Sequence, residues 1–489
     1  MRFLNKKSFD DLLSRVTIII ILLPFFLLSF FNHPFGDDYW STGLVRRLGF
    51  WHAQVELYNT VPPRWLALGL SCLSPLSWGN FWGYKVIPVV FILLFTGAVA
   101  GLLRTLSGGG RVMRNSQEIG DSSRAGGDQA VSRKECYRLA IFFTAIFLSA
   151  APGIGGGIYW VSALIVFGVG LLLFVCWVNL LVVWYRGRRS GWILSGIGVC
   201  FMGMVGSNEI ITVISLVVLV AINIYRRKID RATLVQMIIF GLYLGYFFSF
   251  KGGGNRYALM QTAGSGKLWY SAGFSILVSG FCILRALTSP FCLAALIMAY
   301  QPFVRWCRGI NRLELLPAVT YFTMTWLLIL FIIPFIVLYL SGLHPPYRVV
   351  NMVLFFQLAG LMYFGAFAVN GVAGGNSSAS GATNQIRMTR WRGTLTRLGK
   401  YRNMSVVLLL ILGFLWKNNV STATRVLVTG SAYHYDSEMN KRYQLILQCK
   451  ADSCTVPHLR HTSITLRDDS TDFADSHISD YFQKTVIVR

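Results

Sequence analysis

Apolar runs of about 20 residues recur along the chain, parted by short polar stretches, and this alternation predicts a series of membrane-crossing helices. The runs fall at about 16–31, 84–103, 138–152, 158–183, 190–206, 210–224, 232–250, 288–304, 316–340, 348–370 and 403–416. That makes about eleven crossings, each long enough to traverse roughly 30 Å of hydrocarbon. Two further apolar stretches, 64–77 (broken by Pro75) and 269–287, are expected to be interfacial or re-entrant. Counting both as crossings would move the basic turns "YRGRR" and "YRRKIDR" away from the other basic loops. A helix closes its backbone hydrogen bonds within itself, as lipid demands, so the fold class is an all-α polytopic membrane protein.

Composition agrees with the pattern. Of the 489 residues, 54% are apolar and only 13% charged, about half the charge of a soluble domain (roughly 25%). A net charge of +25 raises the question of nucleic acid, but the placement of the charge answers it. Most of the 45 Lys and Arg lie before residue 16 and in the loops 104–138, 186–189, 226–231, 305–312 and 387–402. The positive-inside bias puts those segments in the cytoplasm, and no nucleic-acid partner is expected. The first span follows Arg2, Lys6, Lys7 and Arg15, and "LSFFNHPF" has no small-residue cleavage site, so it reads as an anchor with a cytoplasmic N-terminus. Two inner loops, "SGGGRVMRNSQEIGDSSRAGGDQAVSRK" and "AGGNSSASGATNQ", read as tolerated Gly- and Ser-rich insertions. "SGGGR" lacks the GKS/T ending of a phosphate-binding loop.

Two domains are expected: a multi-pass transmembrane domain, 1–416, with its first outer loop at 32–83, and a small α+β unit on the outer face, 417–489. On that face an oxidising environment would suit a bridge between Cys449 and Cys454 ("CKADSC"), two reduced thiols being the alternative.

Once sidedness is set, polar residues with specific geometry gather in the outer turns: "GDDYW", "HAQVELYNTVPPRW", "APGIGGGIYW", "GSNEI", "KGGGNRYA" and "GLHPPYRVVN". Glu209 lies between apolar runs, where a carboxylate needs pairing, water or a proton. It reads either as first-turn charge of a helix capped by Ser207 and Asn208, or as a carboxylate facing a wet cavity. Of Asp37 and Asp38, adjacent residues that point in different directions, one is expected to face a site and the other to cap or orient. Tyr39 and Trp40 suit the headgroup level. Arg64, Arg256 and Arg348 either snorkel or form a ring suited to a lipid phosphate or pyrophosphate. His52 and His344 are candidates for proton transfer or metal binding, and the glycine turns for close backbone approach to a ligand.

In their order, "GDDYW", Tyr58 with Arg64 and Trp65, "IYW" (Tyr159 and Trp160), "SNE", Asn255 with Arg256, and "PPYR" make the chain resemble the GT-C superfamily of membrane glycosyltransferases. Within it, the chain is similar to a bacterial group with a DDY motif in the first periplasmic loop, common in envelope polysaccharide loci. The resemblance spans most of the chain. It implies transfer of a sugar from a polyprenyl-phosphate donor to an envelope glycan or lipid acceptor, on the periplasmic face of the bacterial cytoplasmic (inner) membrane. It further implies that the first acidic residue of the first outer loop, Asp37 with Asp38 as runner-up, is the catalytic base or the ligand of a divalent metal ion. Arg64, Arg256 and Arg348 would then stabilise the leaving phosphate. Glu209, counted with Asp37 and Asp38 in the catalytic set, would with Asn208 orient acceptor or donor, and Trp160 would stack on a sugar ring. Tyr39, His52, Asn255, His344 and Tyr347 complete the expected substrate-binding set. Two departures stand out: "KGGGN" precedes Asn255 where the pattern has a proline, and no tight metal-ligand cluster is visible. A transporter or flippase for lipid-linked saccharides, or an accessory assembly protein, is the alternative.

Overall fold

A computed structural model describes residues 6–61, 63–108, 132–249, 266–310, 319–373, 401–460 and 471–488. The chain enters as α1 (Lys6–Ser29) and then leaves the bundle for an excursion of short helices: α2 (Asp37–Leu48), α3 (Phe50–Thr60), α4 (Trp65–Cys72) and a 3-10 turn, Pro75–Trp78. The bundle continues with α5 (Phe81–Leu106), α6 (Arg133–Ala150), α7 (Val161–Tyr185), α8 (Gly191–Val205), α9 (Glu209–Arg226) and α10 (Arg231–Ser249). Then come α11 (Leu268–Thr288), α12 (Pro290–Arg308), α13 (Val319–Ser341), α14 (Tyr347–Ala373) and α15 (Tyr401–Leu415). After a 64° bend, α16 (Asn419–Val428) leads into α17 (Ser431–Gln448), β1 (Ser453–Val456), α18 (Thr471–Phe482) and β2 (Thr485–Val488).

Among the described residues, eight helices are long and apolar enough to cross a membrane, or nine if the bent pair α15–α16 counts as one span. The protein is a multi-pass, all-α membrane protein. Helices α6, α8 and α12, which the hydrophobic pattern also reads as spans, are shorter or charged toward one end. The stretch read as interfacial or re-entrant, 269–287, forms a 21-residue helix, α11. Both ends of α11 nonetheless lie at the excursion end of the bundle. Gly266 N donates to the Tyr339 carbonyl at the end of α13 (2.8 Å), and Arg285 Nε donates to the Ala150 carbonyl at the end of α6 (2.8 Å).

Periodicity explains the packing. On α5, Tyr84, Pro88, Phe91, Phe95, Val99 and Leu103 face inward, whereas Val86, Val90, Leu93 and Leu94 face out. In the centre, Phe95, Phe143, Phe147 and Phe355 meet with ring centroids 5.7–6.4 Å apart, close enough for edge-to-face attraction beyond simple burial. At the opposite, basic end, Arg402 pairs with Asp10 and Arg305 Nη1 with Glu135 (2.5 Å).

The last segment folds back on the excursion. β1 and β2 pair in parallel, with Ser453 opposite Thr485, and Cys449 is bonded to Cys454 between α17 and β1. Tyr39, Leu76 and Tyr84 share an apolar cluster with Tyr443, Ile446, Ile478 and Tyr481. Inside the seam runs a polar chain. Asp436 accepts from His33 Nε2 (2.9 Å) and from Lys85 Nζ. A neutral imidazole donating through Nε2 must accept at Nδ1. Tyr443 Oη, 3.1 Å away, therefore donates to it and in turn accepts from Tyr39 Oη at 2.6 Å. Burial holds His33 below the ordinary histidine range, with Lys85 adding to the shift and Asp436 opposing it.

A Cβ built on Gly43 would sit 3.0 Å from Tyr481 Cα, so α2 and α18 touch backbone to backbone. Gly43→Val is expected to pry α18 off α2, costing about 1–3 kcal/mol, seen as faster limited proteolysis of residues 431–488 with the bundle intact. Acid is expected to act on the same seam. A released His33 would take up its proton near its ordinary value, and the docked one only at lower pH. Docking stability is thus whole above about pH 6.5 and falls below it. Protease release of the C-terminal segment should rise between pH 7.5 and 5.5, and His33→Gln should flatten that dependence.

Candidate active site

Gly36, with φ of 49°, turns the chain so that α2 begins at Asp37. The two acidic residues then part company. Asp38 is 4% exposed. Its Oδ2 accepts from Phe35 N (3.0 Å) and Tyr84 Oη (2.6 Å), and its Oδ1 accepts from Ser162 N (2.7 Å) and Ser162 Oγ (2.5 Å). One carboxylate thus joins the excursion, α5 and α7. Burial pushes its pKa up to about 6 against the pull of those four donors. Asp37 is half-buried in the first turn of α2, and its carboxylate makes no hydrogen bond or ion pair with another described residue. The helix N-terminus favours its negative charge.

Residues 152–169 are where the outer turns meet. Tyr159 O accepts from Asn32 Nδ2 (2.7 Å), Tyr159 Oη donates to the Phe25 carbonyl (2.6 Å), and Val161 N donates to Tyr84 Oη (3.4 Å). The backbone here winds as π-helix over Gly155–Tyr159 and Leu164–Val169. Its glycines serve close approach to α14: Asn351 Nδ2 donates to the Gly153 carbonyl (2.8 Å) and Oδ1 accepts from Gly153 N (3.2 Å). A Cβ on Gly157 would fall 2.4 Å from Asn351 Nδ2. The turn "APGIGGGIYW" and the helix start "PPYRVVN" are thereby one structure.

Trp160 lies at their junction. The Arg348 guanidinium sits 5.0 Å from its ring centroid and 5.6 Å from that of Phe167, and Phe35 meets the indole edge-on at 5.6 Å. The indole expected to meet a sugar carries the Arg348 guanidinium on its ring and helps to hold it in place. Its buried Nε1 has no acceptor among the described residues.

Glu209 and Arg64 answer each other. Arg64 Nε lies 3.1 and 3.0 Å from the two carboxylate oxygens, and Nη2 lies 2.8 Å from Oε2. This two-pronged pair, half-buried, balances the carboxylate and takes Arg64 away from the expected phosphate ring. Asn208 caps α9, its Oδ1 accepting from Ile210 N at 2.7 Å. Its buried Nδ2 has no acceptor among the described residues. The pair is fixed by α4, whose first amides, Leu66 N and Ala67 N, donate to the Gly206 carbonyl (2.8 and 3.2 Å) while Trp65 packs where a Gly206 side chain would be. Ser207 Oγ donates to the Val166 carbonyl (2.9 Å), tying this turn to the same hub.

The remaining candidates disperse. Tyr39 is buried in the C-terminal seam, His52 is exposed on α3, and His344 stacks on Phe274 at 4.8 Å. The Tyr347 side chain packs on Gly153. Asn255 and Arg256 lie outside the described residues. Among those described, no group of three or more His, Cys, Asp and Glu is placed to hold a metal ion. Both oxygens of Asp38 are filled by N–H and O–H donors, so a divalent ion does not fit there. Ser162 and Tyr84, which complete the site, carried no motif of their own, and Asn351 only closes the quoted turn "GLHPPYRVVN". Compared with protein-family models, with curated proteins and with solved structures, the chain matches none.

Asp38→Ala strands four donors and is expected to cost on the order of 3 kcal/mol, whereas Asp37→Ala should stay within about 0.5 kcal/mol of the parent. Thermal unfolding in detergent compares the two. Equal losses would contradict the division of labour between the neighbours.

Proposed function

We propose that this protein is a membrane glycosyltransferase of the GT-C type that moves a sugar from a polyprenyl-phosphate donor to an envelope glycan or lipid acceptor. The observation that carries the reading is the split acidic pair: Asp38 locked into the hub, Asp37 beside it without a partner among the described residues. The donor keeps its tail in lipid, so its phosphate arrives where the excursion meets the bundle. Asp37 takes the proton of the acceptor hydroxyl as that oxygen bonds to the sugar's anomeric carbon. The bond from that carbon to the phosphate oxygen breaks, and its electron pair leaves with the phosphate. Arg348, held over Trp160, lies on the same hub to balance that departing charge. Asn208 and the Trp160 N–H offer donors for sugar hydroxyls. Glu209, tied to Arg64, positions the α4–α9 wall and is not assigned to proton transfer.

The proposed topology has about eleven crossings. Helix α11 lies in one leaflet, consistent with both its ends being at the excursion end. The N-terminus is cytoplasmic and the C-terminal unit periplasmic, where the Cys449–Cys454 bond would persist. A bacterial inner membrane is the setting this implies.

Two features favour a second reading, a flippase: α7 is interrupted by π-helix and α15–α16 bends by 64°, and transporters bind substrate at such broken helices. Reconstitution with a radiolabelled polyprenyl-phosphate sugar and an envelope acceptor fraction decides. Asp37→Asn is expected to lower transfer roughly a hundredfold or more with unfolding temperature unchanged. Undiminished transfer in that variant defeats the assignment, and donor translocation without transfer supports the flippase.

A further inference from the structure

The lipid-facing stripe of α5 does not stop where the helix begins. Val86, Val90, Leu93 and Leu94 are exposed and follow one another at helical spacing along one face. Four residues before Val86, Trp82 continues the stripe at 68% exposure, and Trp78, in the 3-10 turn before α5, stands 71% exposed. A contiguous exposed apolar stripe of this kind marks a surface that meets lipid or protein. Height along the helix says what covers it. Arg104, exposed near the other end of α5, is 22 residues from Trp82, or about 33 Å at the helical rise. The hydrocarbon layer is about 30 Å thick. With the Arg104 guanidinium among headgroups on one side, Trp82 reaches the headgroup boundary of the other.

The rest of the excursion lies along the same boundary. Helix α3 is tied to the end of another span, α10, by Tyr58 Oη on Ser249 Oγ (3.1 Å), and it turns out Trp51 (77% exposed) and Val55 from one face. Asn80 caps α5 through Gly83 N (2.8 Å), fixing the turn that presents Trp78 just above Trp82. Indole suits that layer because its ring is apolar and its N–H reaches water and headgroups.

We infer that Trp78 and Trp82, with Trp51 on α3, seat the excursion in the lipid interface, so that the partner of this surface is the bilayer and not a protein. The seat bears on the docked C-terminal segment as well, since the Trp82 ring lies 5.5 Å from Lys85 Nζ, the ammonium that pairs with Asp436. The inference stands apart from the proposed sugar transfer.

Benzoylphenylalanine placed at 51, 78, 82 or the exposed Lys450 tests it in the full-length protein. Each form is reconstituted in vesicles of phosphatidylcholine and phosphatidylglycerol and irradiated, and adducts are identified by mass spectrometry. Lipid adducts at 51, 78 and 82 are expected roughly tenfold above those at 450. Adducts at the level of position 450, or cross-links to a second copy of the chain in their place, overturn the inference. Unfolding temperatures matching that of the parent keep the comparison valid.

Discussion

One buried carboxylate organises the excursion end of this molecule. Asp38 accepts four hydrogen bonds, from Phe35 two residues before its own helix, from α5 and from the start of α7. A charge in such a place is tolerated because each lone pair faces a donor. Take it away and three elements lose a common fixed point. The acidic neighbour on the exposed side keeps its place only because the buried one holds the turn. In this sense Asp37 is presented by Asp38, as a catalytic group is presented by its supporting shell.

The same arrangement explains why glycine is dense where the chain re-enters the bundle. Asn351 grips both backbone groups of Gly153, and the grip needs the space that a side chain at Gly157 would take. The π-helical winding that follows widens each turn and redirects Trp160 and Ser162 to opposite tasks, one under Arg348 and the other on Asp38. Windings of this kind gather at functional positions. Here it converts a membrane helix into a hub for four separate turns.

Much of the bundle was legible from periodicity, since lipid leaves a helix as the only form an isolated apolar run can take. The turns that converge were legible too, as a collection of polar residues on one face. Their pairings were not. Glu209 and Arg64 are 145 residues apart, and His33 and Asp436 are 403 apart, so no local spacing announces either contact. Glu209 looks like a lone acid in the sequence and stands as half of an ion pair in space. Asp38 likewise looks equal to Asp37 until Tyr84 and Ser162 are brought to it. The 269–287 stretch is intermediate: its length suits a crossing, while its serines and Arg285 draw it to other helices and to the Ala150 carbonyl.

The contact between segments some 400 residues apart has a consequence for biosynthesis. Residues 33–43 are made early, yet Tyr443 and Tyr481, which cover them, are made about 400 positions later. Until then the earliest segment to leave the first helix waits with its tyrosines and histidine uncovered. A chain that stalls before residue 431 would therefore leave an unfinished entrance beside the catalytic candidates, however well its bundle had formed. Completion of the site therefore waits on the segment 431–488.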